Sequence, residues 1–86
     1  MTPTPAVMKE LIKRKPFKPI RLHLTDGDTV DIRFPQLTLV TDLEVFVGWK
    51  RPGEKKMIAA DGVFVGWPAI KSYELLEETT PVTARS

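Results

Sequence analysis

The pentapeptide Val-Phe-Val-Gly-Trp occurs twice in this chain, at residues 45–49 and again at residues 63–67. Valine and phenylalanine favour an extended backbone, and the glycine that follows is typical of a strand that another backbone approaches closely. Two copies therefore predict two strands of one small, mainly β core. The repeat bears on architecture rather than on activity.

Length and composition predict one small domain, over residues 1–86, and make several kinds of site improbable. Without cysteine the chain forms no disulfides and no thiolate metal sites. A single histidine without a cluster of acidic residues predicts neither a metal nor a cofactor. No apolar run approaches the roughly 18 residues of a membrane span, and no apolar signal segment opens the chain, so we expect a cytoplasmic protein without membrane contact.

A short amphipathic helix is predicted over residues 4–14. Thr4 suits the N-cap and Pro5 suits the first helical position. The residues predicted to form its buried face are Val7, Met8, Leu11 and Ile12. Pro16 and Pro19 then end the helix and favour extended backbone.

A β-hairpin is predicted around Asp26-Gly27, which separates two alternating segments at residues 20–25 and 29–34. Asp-Gly is a strong hairpin signal, and a three-residue loop would place Gly27 in the left-handed conformation. The resulting register sets apolar residues opposite apolar residues and charge opposite counter-charge. The predicted pairs are Leu24–Asp28, Leu22–Val30, Ile20–Ile32, Arg21–Asp31 and His23–Thr29.

The rest of the chain alternates between turn signals and short apolar segments. Turns are predicted at residues 42–43, 52–53 and 61–62, and extended segments at residues 37–41, 44–51 and 63–67. Residues 55–60 suit either a strand or a loop. Within residues 68–77 a short interruption precedes a strand or a short helix, and the alternation of Tyr73 and Leu75 favours the strand. The polar residues 78–86 are predicted to form a flexible tail.

This order of elements predicts a mainly β, α+β fold. An N-terminal helix precedes a small five-stranded SH3-like or Sm-like barrel over residues 20–77. A helix of this length is not stable alone, so its apolar side must pack on the barrel.

Charge is distributed unevenly, although the net charge is only +2. Residues 9–21 carry six Lys or Arg side chains and one Glu. Residues 50–56 carry four Lys or Arg side chains and one Glu. Residues 26–44 carry five Asp or Glu side chains and one Arg. A basic surface beside an acidic one can attract the phosphates of nucleic acid or pair subunits head to tail. A solvated surface without function is the alternative.

Three segments occur in an order known from one protein family. A helix ends in the cluster Lys13-Arg14-Lys15, an alternating strand ends in Asp26-Gly27, and Trp67-Pro68-Ala69-Ile70 forms a corner before the last strand. In outline, over residues 5–77, the chain resembles the bacterial Sm-like RNA chaperones of the Hfq family. It is also similar to small uncharacterised bacterial proteins with the opening Pro-Phe-x-Pro-Phe-Arg-x-x-Leu-x-Asp-Gly, and that similarity implies no function.

The resemblance implies a partial RNA site. The arginines with which the Hfq family contacts RNA backbones correspond to residues 13–15, which keep the positive charge. The corner Lys-His that binds uridine in the family corresponds to Trp67 and Pro68, and a tyrosine of the adenine-binding face corresponds to His23. The resemblance therefore implies a basic edge without the family's base-specific pockets.

Two groups of residues are the candidates for binding. The predicted nucleic-acid contacts are Lys13, Arg14, Lys15, Lys50, Arg51, Lys55 and Lys56. Trp49, Trp67 and His23 are candidates for base stacking or for a subunit interface, and the two tryptophans would stack bases only if they share a surface. Nothing in the sequence links His23 to Ser72 or Ser86, so no catalytic residue is predicted and no enzyme is expected.

The leading hypothesis is a non-enzymatic, homo-oligomeric Sm-like barrel that binds nucleic acid, RNA rather than DNA, through its basic edges. One alternative is a self-assembling interaction module in which strand edges join subunits and the tryptophans are buried between them. Another is a binder of a small anionic ligand or an acidic protein through the same basic patch.

Overall fold

The computed structural model describes residues 3–76, which form one helix and six strands. In chain order these elements are α1 (Pro5–Lys13), β1 (Ile20–Leu24), β2 (Thr29–Ile32), β3 (Thr38–Val40), β4 (Glu44–Trp49), β5 (Asp61–Gly66) and β6 (Ile70–Leu75). A first 3₁₀ turn at Pro35–Leu37 precedes β3, and a second at Trp67–Ala69 precedes β6. The α+β fold with an N-terminal helix is confirmed.

The described strands form two three-stranded antiparallel sheets, not one five-stranded barrel. Sheet A has the order β2-β1-β6 and sheet B the order β3-β4-β5. The sheets do not close on each other within residues 3–76. The count differs from the predicted five because the first 3₁₀ turn, which begins at Pro35, separates β2 from β3. Proline lacks the amide hydrogen that a continuous strand would donate.

Helix α1 begins and ends within one residue of its predicted bounds. The Oγ1 of Thr4 accepts a hydrogen bond from the Val7 amide at 3.2 Å, which makes Thr4 the N-cap. Met8 is fully buried, and Leu11 and Ile12 pack against the core. The prediction was wrong for Val7, which is 36% exposed because the docked side of the helix centres on Met8. In the described part of the chain, no helix is long and apolar enough to cross a membrane.

The predicted hairpin and its register are confirmed in sheet A. Ile20 pairs with Ile32 and Leu22 with Val30. The Leu24 amide donates to the Asp28 carbonyl at 2.8 Å and closes the loop. Gly27 adopts the expected left-handed conformation, with a φ of +95°.

Strand β6 pairs with the other side of β1, so β1 is the central strand of sheet A, between β2 and β6. The preference for a strand over a helix after the corner is thus confirmed. The register shifts between His23 and Leu24, where the second 3₁₀ turn meets β1. The predicted flexible tail, residues 78–86, lies outside the described residues.

In sheet B the two copies of the repeat pair with each other. Val45 lies opposite Val65 and Val47 opposite Val63, and Phe46 lies opposite Phe64 between them. The valines Val45, Val47 and Val65 are buried and form the core together with Met8, Ile20, Leu22, Ile32 and Ile70. Both repeats are therefore core strands, as predicted.

The connection between β4 and β5 differs from the prediction at both of its ends. Strand β4 ends at Trp49 rather than at residue 51, and residues 55–60 belong to an exposed loop. Pro52-Gly53 forms the predicted turn, and Gly53 has a φ of +85°. The prediction of a turn at residues 61–62 was wrong, because these residues begin β5 and Gly62 pairs with Gly48. The loop before them has already reversed the direction of the chain.

Candidate functional site

Three consecutive cations, Lys13, Arg14 and Lys15, lie at the C-terminal end of α1. The helix ends here because Arg14 adopts an extended conformation, with φ −59° and ψ 140°, shortly before Pro16. A cis peptide bond joins Lys15 to Pro16. All three cations are exposed, and the buried Met8 earlier in the helix fixes their position against the core.

The cations line a cleft between the end of α1 and the first 3₁₀ turn, here termed the basic groove. Its volume is about 530 Å³. The residues that line it are Ile12, Lys13, Arg14, Lys15, Phe17, Pro35 and Gln36. None of these described residues is acidic. The groove therefore presents positive charge beside an apolar surface that includes one aromatic ring.

Within residues 3–76, no neighbouring side chain neutralises the charge of the basic groove. Among residues 3–76, no carboxylate forms an ion pair with any of its three cations. The ion pairs found elsewhere involve Arg21, Arg33 and His23. The positive charge of the groove thus remains available to an anionic ligand.

A second group of cations, here termed the loop cluster, lies in the exposed loop between β4 and β5. Its members are Lys50, Arg51, Lys55 and Lys56. The Lys50 ammonium donates to the Glu54 carbonyl at 2.6 Å, and the Glu54 carboxylate accepts a hydrogen bond from the Lys56 amide at 3.2 Å. Glu54 and Arg51 also line a smaller cavity of about 300 Å³ in the same loop. A carboxylate within the cluster offsets part of its positive charge.

One member of the loop cluster approaches the basic groove. The Nζ of Lys50 lies 5.9 Å from the centroid of the Phe34 ring, a distance typical of a cation–π contact. Phe34 directly precedes Pro35, which lines the groove. Lys50 thus contacts the residue before Pro35, but none of the four cations of the loop cluster lines the groove.

The two tryptophans lie at opposite ends of sheet B. Trp49 pairs with Asp61 at one end of β4, and Trp67 follows the Glu44–Gly66 pair at the other end. Six strand residues span roughly 17–20 Å, so the two indoles do not form one stacking platform. The Trp67 Nε1 donates to the Thr41 carbonyl at 2.9 Å, which fixes this side chain against the turn before β4.

The outer face of sheet A carries a cluster of two arginines and one aspartate. Arg21 donates two hydrogen bonds to Asp31, at 2.8 and 3.0 Å, and Arg33 donates a third at 3.1 Å. The hydrogen bond from Arg21 lowers the pKa of Asp31; partial burial opposes that shift, and the charges of both arginines add to it. The same hydrogen bond raises the pKa of Arg21. Asp31 is therefore an ionised carboxylate whose negative charge is offset by the two arginines.

His23 has two neighbours on β6 that the sequence did not indicate. Its Nε2 lies 2.6 Å from Glu74 Oε1, and Ser72 lies directly opposite it in the strand register. These residues are about fifty positions apart, so only the pairing of β1 with β6 brings them together. Neither cavity described above is lined by this face. A histidine and a carboxylate on a flat, exposed surface form a polar cross-strand contact.

Comparison with known proteins gives no match, whether to family models, to curated proteins or to solved structures. What the chain can bind is therefore inferred from its own side chains. In the described part of the chain, no three His, Asp or Glu side chains gather to hold a metal ion. The basic groove is the arrangement best suited to a ligand, one that is anionic and partly apolar or aromatic.

Proposed function

We propose that this protein is a non-enzymatic binding module that takes single-stranded RNA in its basic groove. The observation that carries the proposal is the grouping beside Phe17, in one cleft, of three cations that form no ion pair with any residue of the described range 3–76. Lysine and arginine neutralise phosphates, and an aromatic ring stacks on the face of any base. A single strand of RNA supplies both the phosphates for the cations and the bases for the aromatic ring.

The size of the groove favours a single strand over a duplex. Its volume of about 530 Å³ lies within the usual range for small-ligand sites, so it accommodates a short stretch of nucleotides. Single-stranded nucleic acid can turn its bases toward an aromatic side chain, whereas a duplex keeps them stacked. The preference for RNA over DNA rests on the resemblance to the Hfq family.

The order of strand pairing supports an opened Sm-like barrel as the framework of the groove. Strand β2 pairs with β1, and β3 pairs with β4, with the first 3₁₀ turn between them. Strand β5 pairs with β4, and β6 returns to pair with β1. If β2 and β3 are counted as one interrupted strand, five strands remain, in the order of an SH3-like barrel.

Binding to fluorescently labelled single-stranded RNA, followed by anisotropy at several salt concentrations, tests the proposal. Neutralising three phosphates of a single strand gives a slope of about −2 when log K is plotted against log salt. The groove variant K13Q/R14Q/K15Q should lose at least tenfold in affinity at low salt and reduce this slope toward zero. F17L should weaken binding without changing the slope, because it removes stacking and leaves the charge.

The matched control is R51Q/K55Q/K56Q, which removes three charges from the loop cluster. It should bind RNA within about twofold of the unaltered protein, because long-range charge contributes little at moderate salt. Equal losses in the two triple variants would show that only overall charge matters. No binding at low salt would end the proposal.

The groove also supports a second candidate, a small anionic ligand, because it is a bounded cleft rather than an extended channel. A nucleoside monophosphate carries the same phosphate and aromatic groups as RNA. Thermal shift with mononucleotides distinguishes the two: a response to mononucleotide equal to that for RNA would favour the small ligand.

A further inference from the structure

Strand β5 is an edge of sheet B whose outer side faces no other described strand. The sheet order β3-β4-β5 leaves one side of β5 unpaired within residues 3–76. An unpaired edge presents free backbone donors and acceptors that another strand can use. The residues on this edge decide which strand fits.

The last five residues of β5 read the same in both directions. They are Gly62, Val63, Phe64, Val65 and Gly66. In an antiparallel pair centred on Phe64, a second copy of β5 would place Phe64 opposite Phe64, each valine opposite a valine and each glycine opposite a glycine. A two-fold axis through such a pair generates a closed, isologous dimer.

The molecule already contains a pair of this composition. Within sheet B, β4 and β5 set Val45 opposite Val65 and Phe46 opposite Phe64. The two phenylalanine rings lie 4.8 Å apart at 50°, a favourable tilted geometry. The sequence of β5 is therefore compatible with an antiparallel neighbour that has the same sequence.

The hydrogen-bond alternation turns the backbone of Phe64 toward the free edge. The Trp67 amide donates to the Leu43 carbonyl, so residues 43 and 67 occupy a hydrogen-bonded position of the ladder. Hydrogen-bonded and non-hydrogen-bonded pairs alternate along antiparallel strands. Phe46 and Phe64 are thus a non-hydrogen-bonded pair, and the N–H and C=O of Phe64 point away from β4.

The outer face beside this edge is apolar. Leu39, Phe46 and Phe64 lie side by side across the three strands of sheet B, and Phe64 is 63% exposed. A second copy joined at β5 would continue this row and cover the exposed side of Phe64. Exposed aromatic side chains of this kind are enriched at protein interfaces.

The other edges of the two sheets carry features that discourage pairing. Strand β2 contains Asp31, β6 contains Lys71 and Glu74, and β3 has only three residues. Charges and short length are the usual protections of an edge strand. Strand β5 carries a charge only at its first residue, Asp61.

We propose that two copies of this chain associate through β5, in an antiparallel pair centred on Phe64, to form one six-stranded sheet. This inference concerns an interaction surface away from the basic groove and does not depend on RNA binding. The paired segment is short, so we expect weak association, with a dissociation constant on the order of 100 μM.

Sedimentation equilibrium of the full chain from about 10 μM to about 1 mM tests the dimer, a range chosen to bracket that constant. The mass should rise from 9.7 kDa toward twice that value and stop there. A monomer throughout would overturn the proposal. A ring of five to seven subunits would overturn it as well.

Two exposed residues on the same face provide a matched pair of variants. F64K places like charges opposite each other in the dimer and should raise the dissociation constant at least tenfold. L39K changes a residue of similar exposure, 60% against 63%, on the opposite edge of the same sheet, and should leave the dimer intact. Circular dichroism checks that both variants remain folded. A dimer that survives F64K contradicts the proposal.

Cysteine cross-linking reports the register directly, because the chain contains no cysteine. In a hydrogen-bonded antiparallel pair the two Cα atoms lie about 5.5 Å apart, which a disulfide can bridge. F64C should form a disulfide-linked dimer under mild oxidation, and L39C should not. Equal cross-linking of the two variants would indicate random collision and would count against the register.

Discussion

The ring of Phe46 fills the place of the side chain that Gly62 lacks. The two residues are diagonal neighbours across β4 and β5, and a β-carbon on Gly62 would overlap the ring. The same ring lies 3.1 Å from the β-carbon position of Gly48. An aromatic side chain that covers strand glycines compensates for their missing packing surface. The glycine after the first Val-Phe-Val segment, Gly48, and the glycine before the second, Gly62, are thus required by the pairing.

We expect G48A to destabilise the protein more than G62A. A β-carbon on Gly48 would lie 2.7 Å from the Leu37 carbonyl, which is backbone and cannot move alone, whereas Gly62 faces chiefly the Phe46 ring. Overpacking of this kind costs about 1–3 kcal/mol. Urea denaturation measures the free energy of unfolding of both variants. G66A is the control, because its nearest contacts, at 3.8 and 3.9 Å, are ordinary ones; a G66A loss as large as that of G48A would refute the argument.

Met8 should be the residue that holds α1 on the sheets. It is fully buried and is the buried residue of the helix, so M8A should lower the free energy of unfolding by about 2–5 kcal/mol. V7A, on the neighbouring exposed position, should change it by no more than about 0.5 kcal/mol. Denaturant unfolding provides the comparison. Similar effects of M8A and V7A would mean that the helix is not docked through Met8.

Asp31 should make folding stability depend on pH at the acid end. Its pKa in the folded protein is lowered from the ordinary value of 3.8, chiefly by the hydrogen bond from Arg21. The paired carboxylate therefore stabilises the fold above that value, and the contribution is lost as the pH falls through the lowered pKa. D31N should cost about 1 kcal/mol at neutral pH, because the pair is partly exposed.

Urea denaturation of D31N and of the unaltered chain at pH 7 and pH 2 checks this sign. The two should differ at pH 7, and the difference should shrink as the pH falls through the lowered pKa of Asp31, because protonation removes the charge that asparagine also lacks. D42N is the control, because Asp42 forms no ion pair with any described residue. If the loss of unfolding free energy in D31N is the same in acid as at pH 7, the loss comes from side-chain packing and not from the charge of Asp31.

Gly27 should be difficult to replace for reasons of backbone conformation alone. Its φ is +95°, and nothing lies within 4 Å of a β-carbon placed there. G27A should therefore cost about 1–2 kcal/mol through the left-handed conformation. G27N should cost less, because asparagine tolerates that conformation better. Thermal unfolding ranks the two, and an alanine variant as stable as the asparagine variant would contradict this explanation.

The local parts of the fold followed from the sequence because their signals are local. Asp26-Gly27 and the alternation on either side of it specify the hairpin register, and Thr4 with Pro5 specifies the start of α1. The repeat indicated two strands, but the sequence did not indicate that they pair with each other. The predicted turn at residues 61–62 failed because the loop before it reverses the chain first.

The parts of the site that depend on distant contacts did not follow from the sequence. Phe17 and Pro35 join the cations of α1 only when the helix docks beside the first 3₁₀ turn. Glu74 and Ser72 meet His23 only through the register of β1 with β6. The two tryptophans share a pentapeptide position, yet antiparallel pairing sends them to opposite ends of sheet B. Equivalent sequence positions are therefore not neighbouring positions in space.

The pairing of β1 with β6 also has a consequence for how the protein is made. Sheet B draws on residues 38–66 alone, whereas sheet A cannot be completed before residues 70–75 have been made. Until then one side of β1 has no partner strand and its apolar residues lack part of their cover. Long-range pairing of this kind slows folding and prolongs exposure to aggregation. Sheet A is thus the last part of the described fold to be completed.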